Sequence, residues 1–285
     1  MDARTTGTIL DRIVADRRVR LAEDRARCPE AALRDLVARA APPVDFARRL
    51  REGCPATPPG ARLRLIGEIK RASPSKGVFD ADLDAVAQAR AYAAAGVAAI
   101  SVLTEPDHFR GSIADLEAVR RAFGDDPGRP ALLRKEFIFD PYQVVEARAA
   151  GADALLLIVM MLDPTALAAL LAQTRALGME ALVEVHDEAE MRAALDAGAT
   201  VLGVNNRDLR TFHEDLGTTE RVAALVPPGV TLVAESAIRQ ATDARRMADC
   251  GAHALLVGEA LVTTGDIAGK ARELMLVAEP GGVRR

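Results

Sequence analysis

Four times along this chain an alanine-rich stretch ends at a glycine and a short apolar run follows. The four are Ala95-Gly96-Val97-Ala98-Ala99-Ile100, Ala150-Gly151-Ala152-Asp153-Ala154-Leu155, Ala197-Gly198-Ala199-Thr200-Val201-Leu202 and Cys250-Gly251-Ala252-His253-Ala254-Leu255. A glycine just past a helix takes positive φ without a Cβ clash, so each one marks a helix end. The unalternating apolar run after it reads as a strand buried on both faces, as in a parallel sheet. Eight such runs can be placed, at residues 65–69, 99–103, 131–134, 154–159, 181–185, 201–204, 231–234 and 254–257, and a helical stretch follows each. Their spacing leaves room for a crossover helix. Eight successive strand–helix units predict an α/β fold, a single closed (β/α)8 TIM barrel rather than an open doubly wound sheet. An open dinucleotide-binding sheet would carry a glycine-rich turn after its first strand, whereas Ile69 runs into Lys70-Arg71-Ala72-Ser73-Pro74.

Residues 1–60 fall outside this rhythm. Residues 10–27 and 30–41 have helical composition, and the prolines and glycines at 42–43 and 55–60 break it. This region reads as an N-terminal helical extension packed on the barrel of residues 61–285, with a mobile linker as the alternative. Three widely spaced cysteines, Cys28, Cys54 and Cys250, give neither a disulfide framework nor a zinc pattern. The start has no apolar signal-peptide core, and the longest apolar run, 154–162, falls well short of a bilayer span. A net charge of -4 gives no reason to expect nucleic acid. The expectation is a cytoplasmic enzyme with neither nucleic-acid nor membrane partners.

Barrel sites lie at the C-terminal strand ends. Strand one ends in Glu68 and Lys70, three in Lys135, five in Glu184, six in Asn205 and Arg207, seven in Glu235 and Ser236, and eight in Gly258 and Glu259. Period-two alternation places Glu68 and Lys70 on one face. Inward charges are costly unless paired, and alternating Lys and Glu around one ring supplies that pairing. A salt-bridged plug that only stabilises the mouth would look the same. The loops after strands seven and eight often hold phosphate, which places Ser236, Ala237, Gly258 and Glu259 as candidate phosphate contacts. Ser236 also suits a helix N-cap before residues 237–249. The stretch from Ser73 to Gly77 suits an anion-closing lid or a plain solvent turn. His186 reads as structural, and His108, His213 and His253 show no metal-ligand spacing.

Together, Glu68-Ile69-Lys70 with Ser73-Pro74-Ser75-Lys76-Gly77, Ser101 to Glu105, Leu133-Arg134-Lys135-Glu136-Phe137-Ile138, Pro141-Tyr142-Gln143, Glu184-Val185-His186, Asn205 to Leu209 and Ala234-Glu235-Ser236 resemble indole-3-glycerol-phosphate synthase. The chain departs from the family pattern at Ala237, usually glycine, and at Glu136, usually aspartate and read here as peripheral. Alanine at 237 can still donate its N–H provided the turn does not demand positive φ.

The resemblance implies a carboxy-lyase of tryptophan biosynthesis acting on 1-(2-carboxyphenylamino)-1-deoxyribulose 5-phosphate, with no cofactor and no metal. It implies Lys135 as the general acid at the ketone oxygen. Glu184 and Lys70 would share the dehydration, with donor and acceptor left open, and Glu68 would orient both lysines. Asn205, Arg207, Glu235 and Ser73 would position substrate. The protein is expected to be a monomer or a weak dimer. Rival readings are another phosphosugar barrel such as phosphoribosylanthranilate isomerase, a Schiff-base aldolase using Lys135, and a non-catalytic binding protein.

Overall fold

Apolar runs become strands here because helices cover them outside and opposing strands cover them inside. The computed structural model describes residues 3–278; the ends of the two expected segments, 1–2 and 279–285, lie outside the described residues. The barrel strands are β1 (Arg64–Ile69), β2 (Ala99–Leu103), β3 (Ala131–Lys135), β4 (Ala154–Ile158), β5 (Glu180–Val185), β6 (Val201–Asn205), β7 (Thr231–Glu235) and β8 (Ala254–Val257). They pair in chain order, all parallel, and β8 closes on β1 with Gly67 opposite Val257. This is the expected (β/α)8 barrel. Gly96, Gly151, Gly198 and Gly251 all take positive φ, between 80° and 94°, and end their helices as anticipated.

Three helices precede the barrel: α1 (Ile9–Arg27), α2 (Glu30–Arg39) and α3 (Phe46–Glu52). The second stops two residues short of the expected 41, where Ala40 turns extended ahead of Pro42-Pro43. The sequence reading missed α3. Asp45 caps it by accepting from Arg48 N, and Phe46 and Leu50 are buried beneath it. It contacts β1, β2, β3 and β7, and so spans the N-terminal end of the barrel. Helix α2 lies along α6 (Pro141–Ala149), while Ile9, Leu10 and Ile13 of α1 reach over the opposite, C-terminal mouth. The extension therefore wraps the barrel from mouth to floor, and its buried apolar residues belong to the same core as the strands.

The outer layer continues with α4 (Ala85–Ala94), α5 (Ile113–Phe123), α6, α7 (Pro164–Ala176), α8 (Glu188–Asp196), α9 (Gly217–Ala223), α10 (Ala241–Asp249), α11 (Glu259–Val262) and α12 (Ile267–Leu274). The Pro141-Tyr142-Gln143 segment owes its form to a capping box. Asp140 accepts from Tyr142 N at 2.8 Å while Gln143 Oε1 accepts from Asp140 N at 3.1 Å. Between β1 and α4 the expected loop contains a small antiparallel hairpin, residues 72–73 against 77–78.

Candidate active site

The twelve residues read from the sequence as catalytic, substrate or phosphate contacts line one cleft at the C-terminal mouth: Glu68, Lys70, Ser73, Lys135, Glu184, Asn205, Arg207, Glu235, Ser236, Ala237, Gly258 and Glu259; of the candidate lid, Pro74 and Ser75 join Ser73 there. Lys135 is the last residue of β3, and alternation turns it inward while Arg134 and Glu136 turn out. Its Nζ lies 3.2 Å from Glu184 Oε2 and 3.1 Å from Glu235 Oε2. Asn205 Nδ2 donates to Glu184 Oε1 at 3.2 Å. Lys70 donates to Glu68 and sits 5.6 Å above the Phe79 ring centroid.

Burial opposes charge on Lys135, but Glu235, Glu184 and Glu68 outweigh it and hold its pKa above the ordinary lysine value. Glu184 is equally desolvated, yet Lys135 and His186 hold it well below the carboxylate range. Glu235 goes the other way. Burial pushes it up to about 7, with Lys135 opposing and Glu184 adding repulsion. Glu68 stays below its usual value because Lys70, Lys135 and Arg207 overcome its burial. The ring thus presents a charged ammonium between one firmly ionised carboxylate and one that readily takes a proton.

The residues after β7 and β8 need correction. Ser236 does not cap a helix, because α10 starts at Ala241 with Gln240 as its cap. Ser236 and Ala237 instead form a turn with φ of 63° and 62°. The turn does demand positive φ at 237, and the alanine adopts it under strain. Gly258 caps the short α11, and the Glu259 side chain turns away to Lys76 of the hairpin loop at 2.5 Å. Glu259 can therefore offer an anion only its backbone N–H.

A family model described as Indole-3-glycerol phosphate synthase matches residues 10–274. The chain belongs to the indole-3-glycerol phosphate synthase family. It is 52% identical over 271 residues to the indole-3-glycerol phosphate synthase of Roseiflexus sp. (strain RS-1), covering 94% of this chain and 98% of that one. Identity to the enzyme of that name from Dehalococcoides mccartyi (strain CBDB1) is 47%, over 94% of this chain and 100% of that one. A multifunctional tryptophan biosynthesis protein of Schizosaccharomyces pombe matches at 45% over 94% of this chain, which corresponds to 35% of its own length. Among solved structures, a 3-hexulose-6-phosphate synthase superposes with a TM-score of 0.58 at 17% identity, covering 76% of this chain and 100% of that one, and shares the fold.

Within the synthase family frame, the steric role of two glycines and the part played by Glu214 escaped sequence reasoning. A Cβ on Gly203 would lie 2.0 Å from Glu235 Oε1, and one on Gly258 would lie 2.7 Å from Glu68 Oε1. Glycine at these two places makes room for the buried carboxylates. A lone glycine within the run Leu202-Gly203-Val204 was the available signal. Glu214 also went unnoticed. It holds Arg207 at 2.5 Å and pairs with Arg239, fixing the guanidinium at the rim. His186, read as structural, does not line the cleft but stands 3.4 Å from Glu184 Oε1 and 3.0 Å from Glu190. Burial works against its charge, but the two carboxylates raise its pKa to about 10.

Glu136 is not peripheral. Its carboxylate is buried and accepts from Thr104 Oγ1 at 3.0 Å, Phe137 N at 2.9 Å and Arg17 Nε at 3.3 Å. Outward from the strand here means inward under α1.

Proposed function

We propose that the protein closes an indole ring, converting 1-(2-carboxyphenylamino)-1-deoxyribulose 5-phosphate to indole-3-glycerol phosphate, carbon dioxide and water. The observation that carries this is the Lys135 ammonium, kept charged between Glu184 and Glu235 at the floor of the cleft. The aromatic carbon bearing the carboxylate attacks the keto carbon, and Lys135 protonates the ketone oxygen as the C–C bond forms. The carbon–carboxylate bond then breaks, its electron pair entering the ring-closed iminium, and carbon dioxide departs. The remaining hydroxyl leaves as water and a ring proton is lost, restoring aromaticity. Glu184 and Lys70 share those two proton transfers.

The cleft's lining suits the two ends of such a substrate. Leu103 at the end of β2, with Phe109 and Phe137 after β2 and β3, joins Ile9, Leu10 and Ile13 as an apolar wall for the aromatic ring. By strand order, β7 with Ser236 and Ala237 stands across the barrel. Its turn and the start of α11 offer backbone N–H groups for phosphate. Asn205, Arg207, Glu235 and Ser73 position the carboxylate and hydroxyls between them. On this reading the enzyme works in the cytoplasm, as a monomer or a weak dimer, on a phosphorylated small molecule alone. No helix among the described residues is long and apolar enough to cross a membrane.

The test is growth of indole fluorescence after mixing protein and substrate with EDTA and no added cofactor. The chain has no tryptophan, so its own background is low. Signal that Lys135→Ala abolishes supports the proposal. A silent trace from folded protein that still binds the compound would leave a binding protein in its place.

A further inference from the structure

We infer that Arg17 is a positioning residue for the aromatic end of the substrate, acting through helix α1. This rests on the reading of the α1 face as the ring's apolar wall. Arg17 stands one helical turn beyond Ile13, whose side chain lines the cleft. It is buried, with a side chain only 5% exposed, and its Nε lies 3.3 Å from Glu136 Oε2. Its Nη1 holds Asp24 of the same helix at 2.9 Å. Glu136 directly follows Lys135, and Arg134 directly precedes it. Arg134 donates to Thr104 Oγ1 at 3.1 Å and to Glu146 of α6 at 2.6 Å, and Glu146 also faces Arg17 at 3.9 Å. The strand that carries Lys135 inward is therefore clamped on its outer face to the helix that carries Ile9, Leu10 and Ile13.

Other pairs run along α1, including Arg20 with Asp107, His108 with Asp16 and Arg25 with Asp140. The Arg20 and Arg25 side chains are about half exposed, and such pairs contribute little. Removing Arg17 would leave the buried Glu136 with only the more distant Arg134, 3.7 Å away, as counter-charge and would release its hold on α1. Arg17 is thus the fastening whose loss lets the wall move.

The experiment compares wild type, Arg17→Met, Arg17→Lys, the charge-neutral Arg17→Met/Glu136→Gln pair and Arg20→Ala. Two competitive inhibitors report the two ends of the site: 2-(methylamino)benzoate for the aromatic end and inorganic phosphate for the other. The expected result for Arg17→Met is a rise of about tenfold in KM and in the benzoate inhibition constant, the scale of a lost apolar contact, with the phosphate constant unchanged. Arg17→Lys should recover part of the loss, and Arg20→Ala should match wild type. If Arg17→Met does not fold, the charge-neutral pair carries the same comparison. An unchanged benzoate constant in a folded variant overturns the inference. So does an equal rise for both inhibitors, which would mean general loosening. If wild type is not inhibited competitively by the benzoate, the placing of the ring itself is wrong.

Discussion

Gly203→Ala isolates the geometry of the charged ring from its chemistry, because it changes no ionisable group. Gly203 lies within β6 and does not need positive φ, so the backbone accepts alanine. On propensity alone, replacing glycine there would stabilise by about 0.4–1 kcal/mol through the unfolded chain. Packing reverses that sign. The new Cβ would sit 2.0 Å from Glu235 Oε1 and 3.1 Å from Leu182 Cδ1, so the carboxylate must retreat by more than about 1 Å to reach ordinary contact. A carboxylate in water would swing aside freely. This one is only 1% exposed, and its other oxygen is 3.1 Å from Lys135 Nζ. A retreat on that scale lengthens the contact that sets the position of Lys135.

Overpacking of this kind costs about 1–3 kcal/mol of stability, and a displacement of about 1 Å in a catalytic group costs on the order of 10²-fold in rate. The expected outcome is a kcat reduced about a hundredfold with a modest fall in thermal midpoint, read by indole fluorescence and thermal melting. Near-normal kcat in Gly203→Ala would refute the reasoning, since Glu235 would then not set the position of Lys135.

Lys135→Ala should lose about 10²–10⁴-fold in kcat with its far-UV circular dichroism intact; near-normal turnover would remove the general acid from the scheme. His186 has a folded pKa raised from 6.5 to about 10, so its ionic contribution is complete below 6.5 and is lost as pH rises through 10. The melting temperature of wild type should therefore fall over that window more steeply than that of His186→Gln, and parallel curves would count against a charged His186. Ala237→Gly removes a left-handed strain of about 1–2 kcal/mol while freeing the unfolded chain by about 0.4–1 kcal/mol. A small net gain in a denaturant melt is expected, with phosphate inhibition unchanged, and a loss of stability would contradict the strain.

The barrel was legible because its evidence is local and repeated. Each strand is an apolar run that a helix-ending glycine introduces or a charged end closes, and neither signal depends on distant contacts. Reading where each apolar run stops placed Lys135, Glu184 and Glu235 on one ring without sight of the fold. Helix α3 was not legible. It has seven residues between proline-rich breakers, and it is held by Phe46 and Leu50 under the barrel floor rather than by a repeat of its own. Ser236 misled for a related reason: a serine before an alanine-rich stretch looks like a cap, but two successive left-handed residues carry the chain on to Gln240 first. Glu136 misled because alternation points it away from the barrel interior, and the sequence gives no sign that α1 covers that outer face.

The electrostatics of the ring also decide between two uses of one lysine. A Schiff-base mechanism needs a free amine, which enzymes obtain by lowering the lysine pKa through desolvation or a neighbouring cation. Lys135 is desolvated, and that alone would favour the free amine. Its neighbours are Glu184 and Glu235 within 3.2 Å, with Glu68 adding to their field, and together they raise the pKa instead. A further cation in the cleft, on Lys70, is already committed to Glu68. At neutral pH the free-amine fraction is therefore smaller than for a lysine in water, and a carbonyl meets an acid rather than a nucleophile. Borohydride added with a ketose phosphate should leave the mass of the protein unchanged, and a covalent adduct at Lys135 would show that substrate binding strips the carboxylates of their hold.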